Sequence, residues 1–349
     1  MSCALHRSSG SLFWQLKECS GAEIQVMVLE HRPQAGPLHP CSRDVKIPKK
    51  AVEAAAEKAA ELIPLRLAGV PEHFNLPWIL GLERRAFVRA GIDLKWRTVP
   101  EGTGAMCKLM RAGELDLAIM VTEGAVRDIL QGNAARIIAQ YVDSPLTWGV
   151  HVGAGTSIMD RSQLNGLPFC ISRPNSGSHL VAKAYARSLG RNVSDEELVI
   201  VNDLKGAEAR AAEPAPALFL WEKYTTKPLV DRGVLRCVDE YASPWPSFVI
   251  VATEAALAAH AGPIKRLLKV IRDQAAGLMQ KKTAPAMIAH RYGMSLEDAT
   301  AWFQGVRWNV GAEVDLGMLA AVTSGLNEAG LLEAALDPTA CGERLVGRI

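Results

Sequence analysis

The stretch Phe219-Leu-Trp-Glu-Lys-Tyr-Thr-Thr-Lys-Pro228 decides the fold, because a short apolar run stops abruptly at polar, loop-forming residues. Residues 217–221 are typical of a buried strand. In open α/β sheets, ligands bind in the crevice outside the carboxyl ends of the strands. Four side chains at this strand end are therefore predicted to face a small molecule: Trp221, Glu222, Thr225 and Thr226.

Strand-like and helix-like patterns alternate from Leu65 onward, which predicts an α/β fold. Residues 115–121 are typical of a buried strand, and residues 122–124 begin the next helix. Unpaired backbone N–H groups and the positive end of the helix dipole at such junctions favour polar or anionic ligand groups. Comparable junctions occur at three other places: Asn75, residues 102–104 and residues 173–179. The helical patterns that follow residue 254 are rich in Ala and Leu and predict a helical C-terminal return.

The composition limits the classes of partner. The chain has 349 residues, of which 49% are hydrophobic and 22% are charged, which is enough for a globular protein with two lobes. The formal net charge of +2 is too small for a general polyanion binder, so we expect no nucleic-acid partner. No stretch approaches the roughly 18 uninterrupted apolar residues of a membrane-spanning helix. The expected partner is a small molecule, and the sequence carries no signature of an oligomeric state.

Seven cysteines are scattered along the chain, with no CxxC pair and no spacing typical of a metal site. Their odd number fits a reducing compartment, and the first 20 residues lack the apolar core of a secretory signal. We therefore expect a cytoplasmic protein without a bound metal. Arg7 and the early serines leave import into an organelle as an alternative. Three acidic residues in the first 30 argue against a transit peptide: Glu18, Glu23 and Glu30.

Residues 1–64 differ from the rest of the chain and are predicted to form an irregular, partly disordered N-terminal extension. Residues 1–48 mix Ser, Cys, Pro, Gly and His without sustained periodicity, although residues 23–29 could form a short strand. Residues 49–63 are a helix candidate that is rich in Ala and Glu and is followed by Pro64.

Six segments together resemble the type II periplasmic-binding-protein-like family. They resemble in particular an intracellular branch found in fungi and other microbes, which is similar to the substrate-binding proteins of nitrate, sulfonate and thiamine-precursor ABC transporters. The resemblance covers residues 65–332. The segments are Val70-Pro-Glu-His-Phe-Asn-Leu-Pro-Trp78, Pro100-Glu-Gly-Thr-Gly104, Val121-Thr-Glu-Gly-Ala125, Ser172-Arg-Pro-Asn-Ser-Gly-Ser-His179, Leu220-Trp-Glu-Lys-Tyr-Thr-Thr-Lys-Pro228 and Pro244-Trp-Pro246.

The resemblance implies a cleft between two lobes, with residues 65–145 and 250–335 in the first lobe, residues 146–249 in the second, and residues 336–349 as a tail. It places on the first wall of the cleft His73, Asn75, Gly102, Thr103, Thr122 and Glu123. It places on the second wall Asn175, Ser176, Gly177, Ser178, Trp221, Glu222, Thr225 and Thr226.

Several of these residues also fit a purely structural role. Residues 176–178 suit a helix cap, Trp221 could be a core aromatic residue, and His73 could belong to a turn. The chain departs from the family at residues 206–218, which look shorter than a full helix-turn-strand link. We expect this shortening to shift the strand that carries Trp221 or to weaken the second lobe.

The leading hypothesis is a binding protein without catalysis or cofactor, whose lobes close on a small polar or anionic metabolite. The first alternative is an enzyme similar to the fungal thiamine-pyrimidine synthases, which use pyridoxal phosphate. That hypothesis needs a lysine, a donor histidine and a cysteine cluster, and its candidates are Lys223 with His73 or His179. The second alternative is the substrate-binding component of an ABC transporter.

Overall fold

The computed structural model describes residues 12–18, 23–30, 44–48, 62–174 and 176–348. The chain divides into two compact units, Met1–Leu62 and Ile63–Ile349.

The first unit contains three strands, Leu12–Glu18 (β1), Glu23–Glu30 (β2) and Asp44–Pro48 (β3), which form an antiparallel sheet in the order β1-β2-β3. The strand predicted at residues 23–29 is confirmed as β2. Strands β1 and β3 are two further short strands of this extension, which the sequence analysis did not predict. The helix predicted for residues 49–63 lies outside the described residues, except that Ile63 begins the next strand.

The second unit alternates strands and helices. Its strands are Ile63–Gly69 (β4), Ile92–Thr98 (β5), Leu117–Val121 (β6), Ala135–Gly153 (β7), Phe169–Ile171 (β8), Leu198–Ile200 (β9), Leu218–Glu222 (β10) and Leu235–Thr253 (β11). Its α-helices are Leu76–Glu83 (α1), Ala86–Arg89 (α2), Thr103–Arg111 (α3), Thr122–Leu130 (α4), Gly177–Ser188 (α5), Leu204–Ala211 (α6), Lys223–Asp231 (α7), Glu254–Met279 (α8), Ala284–Tyr292 (α9), Leu296–Gly305 (α10), Leu316–Glu328 (α11) and Pro338–Leu345 (α12). Helices α8 to α12 confirm the predicted helical return, and α12 lies within the predicted tail.

Two long antiparallel strands, β7 and β11, join the lobes. The sheet order is β5-β4-β6-β11-β7-β10-β8-β9, and β7 and β11 each have 19 residues. In the first lobe, residues 248–253 pair with residues 135–142 and extend the sheet of β4, β5 and β6. In the second lobe, residues 235–242 pair with residues 147–153, next to β10, β8 and β9. The predicted two-lobed α/β fold is confirmed.

The register between β7 and β11 breaks where the lobes meet. Pro145 lies opposite Pro246, and the pairing shifts on both sides of this position. Proline has no backbone N–H to donate, so a pair of facing prolines interrupts the ladder of hydrogen bonds. The crossing strands are therefore weakest at the boundary between the lobes.

The central strands are buried on two faces, whereas the edge strands β5 and β9 are partly exposed. All five residues of β6 are buried, as expected for a parallel strand that is covered by helices on both sides. A large apolar cluster runs from Leu65 through Tyr141 to Leu220 and so includes both lobes. This shared core places the carboxyl ends of β4, β6, β8 and β10 around one region.

The segment at residues 206–218 is a complete helix–loop–strand link, so the expectation that it is too short is wrong. Helix α6 begins upstream of Gly206, and the Asp203 side chain caps it by accepting a hydrogen bond from Gly206 N at 2.9 Å. Two glycines let the helix pack closely: a Cβ atom at Gly206 would overlap the carbonyl oxygen of Val201, and one at Gly153 would overlap that of Ala211. Close packing at glycine makes the link compact, and β10 keeps its place beside β7.

We expect Gly153→Ala to lower the free energy of unfolding by about 1–3 kcal/mol, because the added methyl group must displace the end of α6. Thermal unfolding should show a lower Tm than for the parent protein. Gly155→Ala is the matched control, since no atom lies within 4 Å of a Cβ atom built there. Equal Tm values for the two variants would contradict the close packing of α6.

Candidate functional site

A cavity of ≈ 60 Å³ lies between the lobes. The first lobe lines it with residues from the loop after β4, from the start of α3 and from β6: Val70, Glu72, Glu101, Gly102, Thr103, Ile119 and Val121. The crossing strands and the second lobe complete the lining: Leu146, Trp148, Ser172, Ser176, Gly177, Ser178, Trp221, Glu222 and Phe248.

The cavity forms where strands end and helices begin. Strand β6 ends at Val121 directly before α4, and β10 ends at Glu222 directly before α7. Strand β8 ends at Ile171, six residues before α5. Helix N-termini carry unpaired N–H groups, so these junctions direct backbone donors toward the space between the lobes. The arrangement matches the crevice outside the carboxyl ends of strands that the sequence predicts.

Three buried serines form a hydrogen-bonded group at the start of α5. Ser178 Oγ accepts from Ser172 N at 2.9 Å, and it lies 3.1 Å from Ser172 Oγ and 3.0 Å from Ser176 Oγ. Ser176 Oγ also caps α5 by accepting from His179 N at 3.2 Å. The three hydroxyl hydrogens supply only two hydroxyl–hydroxyl bonds, so one hydrogen remains. These three hydroxyl groups lie in the lining of the cavity, beside the N-terminus of α5.

Glu222 is a buried carboxylate that is held by its own helix. Its Oε2 accepts from Thr225 N at 2.6 Å and from Thr225 Oγ1 at 2.8 Å, which caps α7. Burial raises the pKa of Glu222 to about 7, although the two bonds from Thr225 act in the opposite direction. The carboxyl group is therefore close to half-ionised near neutral pH.

His73 approaches Glu222 from the other lobe. Its Nε2 lies 3.8 Å from Glu222 Oε2, and both side chains are almost fully buried. Burial lowers the pKa of His73 to about 3, so the ring is neutral. Within the described part of the chain, His73 Nε2 has no hydrogen-bond partner. This contact joins the first lobe to the second behind the cavity wall.

Glu72 is a second carboxyl group that lines the cavity. Burial, together with the nearby Glu222 carboxylate, raises the pKa of Glu72 to about 8. The two glutamates repel each other when both are ionised. Glu101, which is exposed at the rim, is the third carboxylate of the lining.

Aromatic side chains of the crossing strands β7 and β11 and of β10 form much of the cavity wall. Trp148 is buried with 5% exposure, and Phe248 with 3%. The Trp221 ring stacks on Phe219, with ring centroids 5.5 Å apart. The cavity therefore combines carboxyl groups, serine hydroxyls and aromatic surface.

The structure brings seven of the predicted site residues into the lining of the cavity: Gly102, Thr103, Ser176, Gly177, Ser178, Trp221 and Glu222. Gly102 has a φ of 81°, which lies in the left-handed region that favours glycine. Their contact with a ligand stays a prediction. Asn175 lies outside the described residues.

The other predicted residues make structural contacts next to the cavity. Asn75 Nδ2 donates to Val70 O at 2.8 Å, and Thr226 Oγ1 lies 2.9 Å from His151 Nε2. Thr225 donates to the Glu222 carboxylate, which caps α7. His73 lies behind the cavity wall.

Thr122 and Glu123 hold the crossing strand. Thr122 Oγ1 donates to Pro246 O at 2.6 Å, and Glu123 Oε2 accepts from Trp245 Nε1 at 2.9 Å. Both contacts attach the start of α4 to β11 beside its break in register.

Sequence reasoning missed several residues that line the cavity. Glu72 stands beside His73 in a quoted segment, and Ser172 begins another, so both were close to a predicted position. Trp148 lies in β7 and Phe248 in β11, and their placement depends on the pairing of these two strands. A search for carboxylates and hydroxyls adjacent to each predicted strand end would have found the first two.

Two further searches apply to the described residues only. Among them, no group of three or more His, Cys, Asp or Glu side chains could hold a metal ion. No helix within these ranges combines the length and the apolar character needed to cross a bilayer.

We expect stability to fall as the pH rises from about 7 to about 8.5, because Glu72 keeps its proton in the folded state to a higher pH than in the unfolded state. The folded state then binds more protons than the unfolded state, so raising the pH favours unfolding. The buried histidines act in the opposite direction, but mainly below pH 7. The free energy of unfolding, measured by urea unfolding at several pH values in this range, should fall less steeply with pH in Glu72→Gln than in the parent protein.

Glu114→Gln is the control for this measurement, since that carboxylate is exposed and pairs with Arg97 on the surface. If the free energy of unfolding falls with pH equally steeply in Glu72→Gln and in the parent, Glu72 does not keep its proton in the folded protein.

A scan against protein-family models finds no match to the chain, and a search of curated protein sequences also finds none. Solved structures do match. The conserved Candida albicans CA3427 gene product, which defines a family with the generic periplasmic binding protein structural fold, has a TM-score of 0.75 and 25% sequence identity; the match covers 81% of this chain and 96% of that one.

Two bacterial binding proteins also have this architecture. The alkanesulfonate-binding protein SsuA of Xanthomonas axonopodis pv. citri matches with a TM-score of 0.64 and 12% identity, over 78% of this chain and 95% of its own. The periplasmic nitrate-binding protein NrtA of Synechocystis PCC 6803 matches with a TM-score of 0.59 and 12% identity, over 82% of this chain and 86% of its own. The resemblance expected from the sequence is confirmed, and the chain belongs to the proteins with the type II periplasmic-binding-protein fold.

Proposed function

We propose that this protein binds a small polar metabolite in the cavity between its lobes and releases it unchanged. The observation that carries the proposal is the shared lining: each lobe contributes helix starts and polar side chains to one cavity. Small-molecule sites are typically concave, largely apolar and supplied with a few directed polar groups. The cavity has this composition.

The crossing strands supply a hinge for opening. Ser243 Oγ accepts from Leu146 N at 3.0 Å, and Ser247 Oγ donates to Ser144 O, so side chains replace part of the interrupted ladder. Side-chain bonds of this kind can re-form after a small rotation more easily than a continuous ladder. The His73–Glu222 contact between the lobes would separate on opening. Hinge closure around a ligand is the common mechanism of two-lobed binding proteins.

The sequence analysis did not decide the charge of the metabolite, because it allowed either a polar or an anionic ligand. The two bacterial neighbours are described as binding alkanesulfonate and nitrate. The start of α5 and its serines would suit an anion, whereas the three glutamates of the lining would repel one.

An enzyme that uses pyridoxal phosphate has less support. Its candidate lysine, Lys223, forms an ion pair with Glu240 at 2.7 Å and does not line the cavity. His73 is buried and neutral behind the wall.

A role as the binding component of an ABC transporter rests on the fold of the neighbours alone. A cytoplasmic location belongs to the leading proposal, and recovery of the protein in a membrane or secreted fraction would contradict it.

We expect Gly177→Leu to abolish ligand binding, because its side chain would extend into the cavity between Val121 and Trp148. A Cβ atom at this position would lie 3.4 Å from Val121 Cγ2 and 3.6 Å from Trp148, so the backbone can accept it. The Tm of the parent protein, measured in the presence of sulfonates, nitrate, bicarbonate, aminopyrimidines or pyridoxal phosphate, should reveal a stabilising compound. A ligand at 100 times its Kd adds about 2.7 kcal/mol.

Gly277→Leu is the matched control, because that glycine lies in the exposed face of α8 with no atom within 4 Å of its Cβ position. It should keep the stabilisation that Gly177→Leu loses. Trp221→Ala, which removes a half-buried ring from the wall, is a second test if Gly177→Leu does not fold. Full stabilisation of both cavity variants by the same compound would rule out this cavity as the binding site.

A further inference from the structure

We infer that the cavity takes an organic nitrogen base, which presents N–H donors or a cationic nitrogen to Glu72 and Glu222, rather than an inorganic or sulfonate anion. The inference rests on the proposed binding function and narrows it to one class of ligand. It follows from the charges, the hydrogen-bonding groups and the aromatic surface of the lining.

The charged side chains that line the cavity are all carboxylates. Within the described part of the chain, Glu72, Glu101 and Glu222 contribute to the lining, and no lysine, arginine or histidine does. Once these carboxyl groups are ionised, an anionic ligand in the cavity would face like charge at short range and lose part of its hydration. A cationic or N–H-bearing group would instead find oxygen acceptors there.

Glu72 lacks the partners that buried carboxylates usually have. No ion pair and no side-chain hydrogen bond to it occurs in residues 62–174 and 176–348, although it is mostly buried and the Glu222 carboxylate raises its pKa. Buried charges in proteins are normally paired. In contrast, Asp116 at the surface of the same lobe is fully paired, with Arg66. Glu72 is therefore available to a ligand.

The other groups of the lining suit the same class of ligand. The hydroxyl groups of Ser172, Ser176 and Ser178 line the cavity, and a hydroxyl can donate to an unprotonated ring nitrogen. The rings of Trp148 and Trp221 offer faces for a cation or for a planar base. A ligand with both donor and acceptor nitrogens would satisfy the carboxylates and the serines together.

One observation favours the opposite charge and has to be tested. Arg173 follows Ser172, and its Nε and Nη2 are buried without a hydrogen-bond partner in the described part of the chain. Its side chain lies near Glu101, whose charge it offsets, and it is not part of the lining. An anion bound at the start of α5 would engage Arg173, so removal of this side chain distinguishes the two ligand classes.

The affinity for a nitrogen base should change with pH in a defined direction. Burial raises the pKa of both Glu72 and Glu222, and the Glu222 carboxylate raises that of Glu72 further, so a cation binds best only after these protons leave. Affinity for a cation should rise from pH 6 to pH 8.5, whereas affinity for an anion should fall. The other titratable or charged groups around the pair are His73, Glu101, Lys223, Tyr224 and Tyr292.

Isothermal titration calorimetry on the full chain tests the inference with acetamidine, 4-aminopyrimidine and methylammonium as nitrogen probes, and with methanesulfonate and nitrate as anions. We expect at least one nitrogen probe to bind, with a Kd at least ten times weaker in Glu72→Gln. For acetamidine, which stays cationic, the Kd of the parent protein should become tighter as the pH rises. Glu114→Gln, at an exposed surface ion pair, should keep the parent Kd within twofold.

Three outcomes would overturn the inference. The first is failure of every nitrogen probe to bind, whatever else the cavity takes. The second is a nitrogen probe whose Kd is unaffected by Glu72→Gln or, for acetamidine, by pH in the parent protein. The third is binding of methanesulfonate or nitrate that Arg173→Ala abolishes, which would leave the proposed binding function intact and assign the cavity to an anion. The pH series uses only the parent protein, so it tests the choice between a nitrogen base and an anion even if Glu72→Gln fails to fold.

Discussion

The antiparallel pairing of β7 with β11 is the constraint on which the rest of the structure depends. Each of these strands runs through both lobes within one eight-stranded sheet, so a single pair of chain segments fixes where both lobes begin and how far apart their strand ends lie. The facing Pro145 and Pro246 interrupt the ladder at its centre, which gives a defined place for bending without loss of pairing on either side. The cavity lies at this place because the strand ends of both lobes point toward it.

Charge and burial oppose each other in the cavity. The fold places Glu72 and Glu222 close together and withdraws both from water, which raises the pKa of each carboxyl group toward neutrality. Such an arrangement costs free energy in the empty protein. A region of a protein that is unfavourable when empty gains more when a complementary group arrives, and perturbed carboxylates in a cleft are for this reason a common sign of a binding site.

Local sequence patterns predicted much of the fold and about half of the site. Trp221 and Gly177 could be predicted because a strand end and the helix start that follows it are adjacent in sequence, and an apolar run next to Ser or Gly marks both. The same local rule also selected Thr122, Glu123 and Asn75. The first two bond to β11, and Asn75 donates to a backbone carbonyl group of its own loop. A local pattern shows where a side chain begins and does not show which distant partner it meets.

The residues that sequence reasoning missed depend on contacts between distant parts of the chain. Trp148 reaches the cavity only because β7 passes from one lobe to the other beside β10. The close approach of α6 to the sheet was also hidden, since the carbonyl groups that Gly153 and Gly206 accommodate belong to residues outside any motif. Glycine spacing alone does not distinguish a turn from a contact between backbones.

The position of β11 in the sheet also affects how the chain is made. The second lobe is continuous in sequence from β7 to β11, whereas the sheet of the first lobe needs residues 248–253, which leave the ribosome long after β6. Until then, the five apolar residues of β6 form an unpaired edge, with β4 on one side only. Exposed apolar edges favour association between chains. The same strand that unites the lobes in the finished protein thus imposes a period of vulnerability during synthesis, which lasts until the second lobe has been translated.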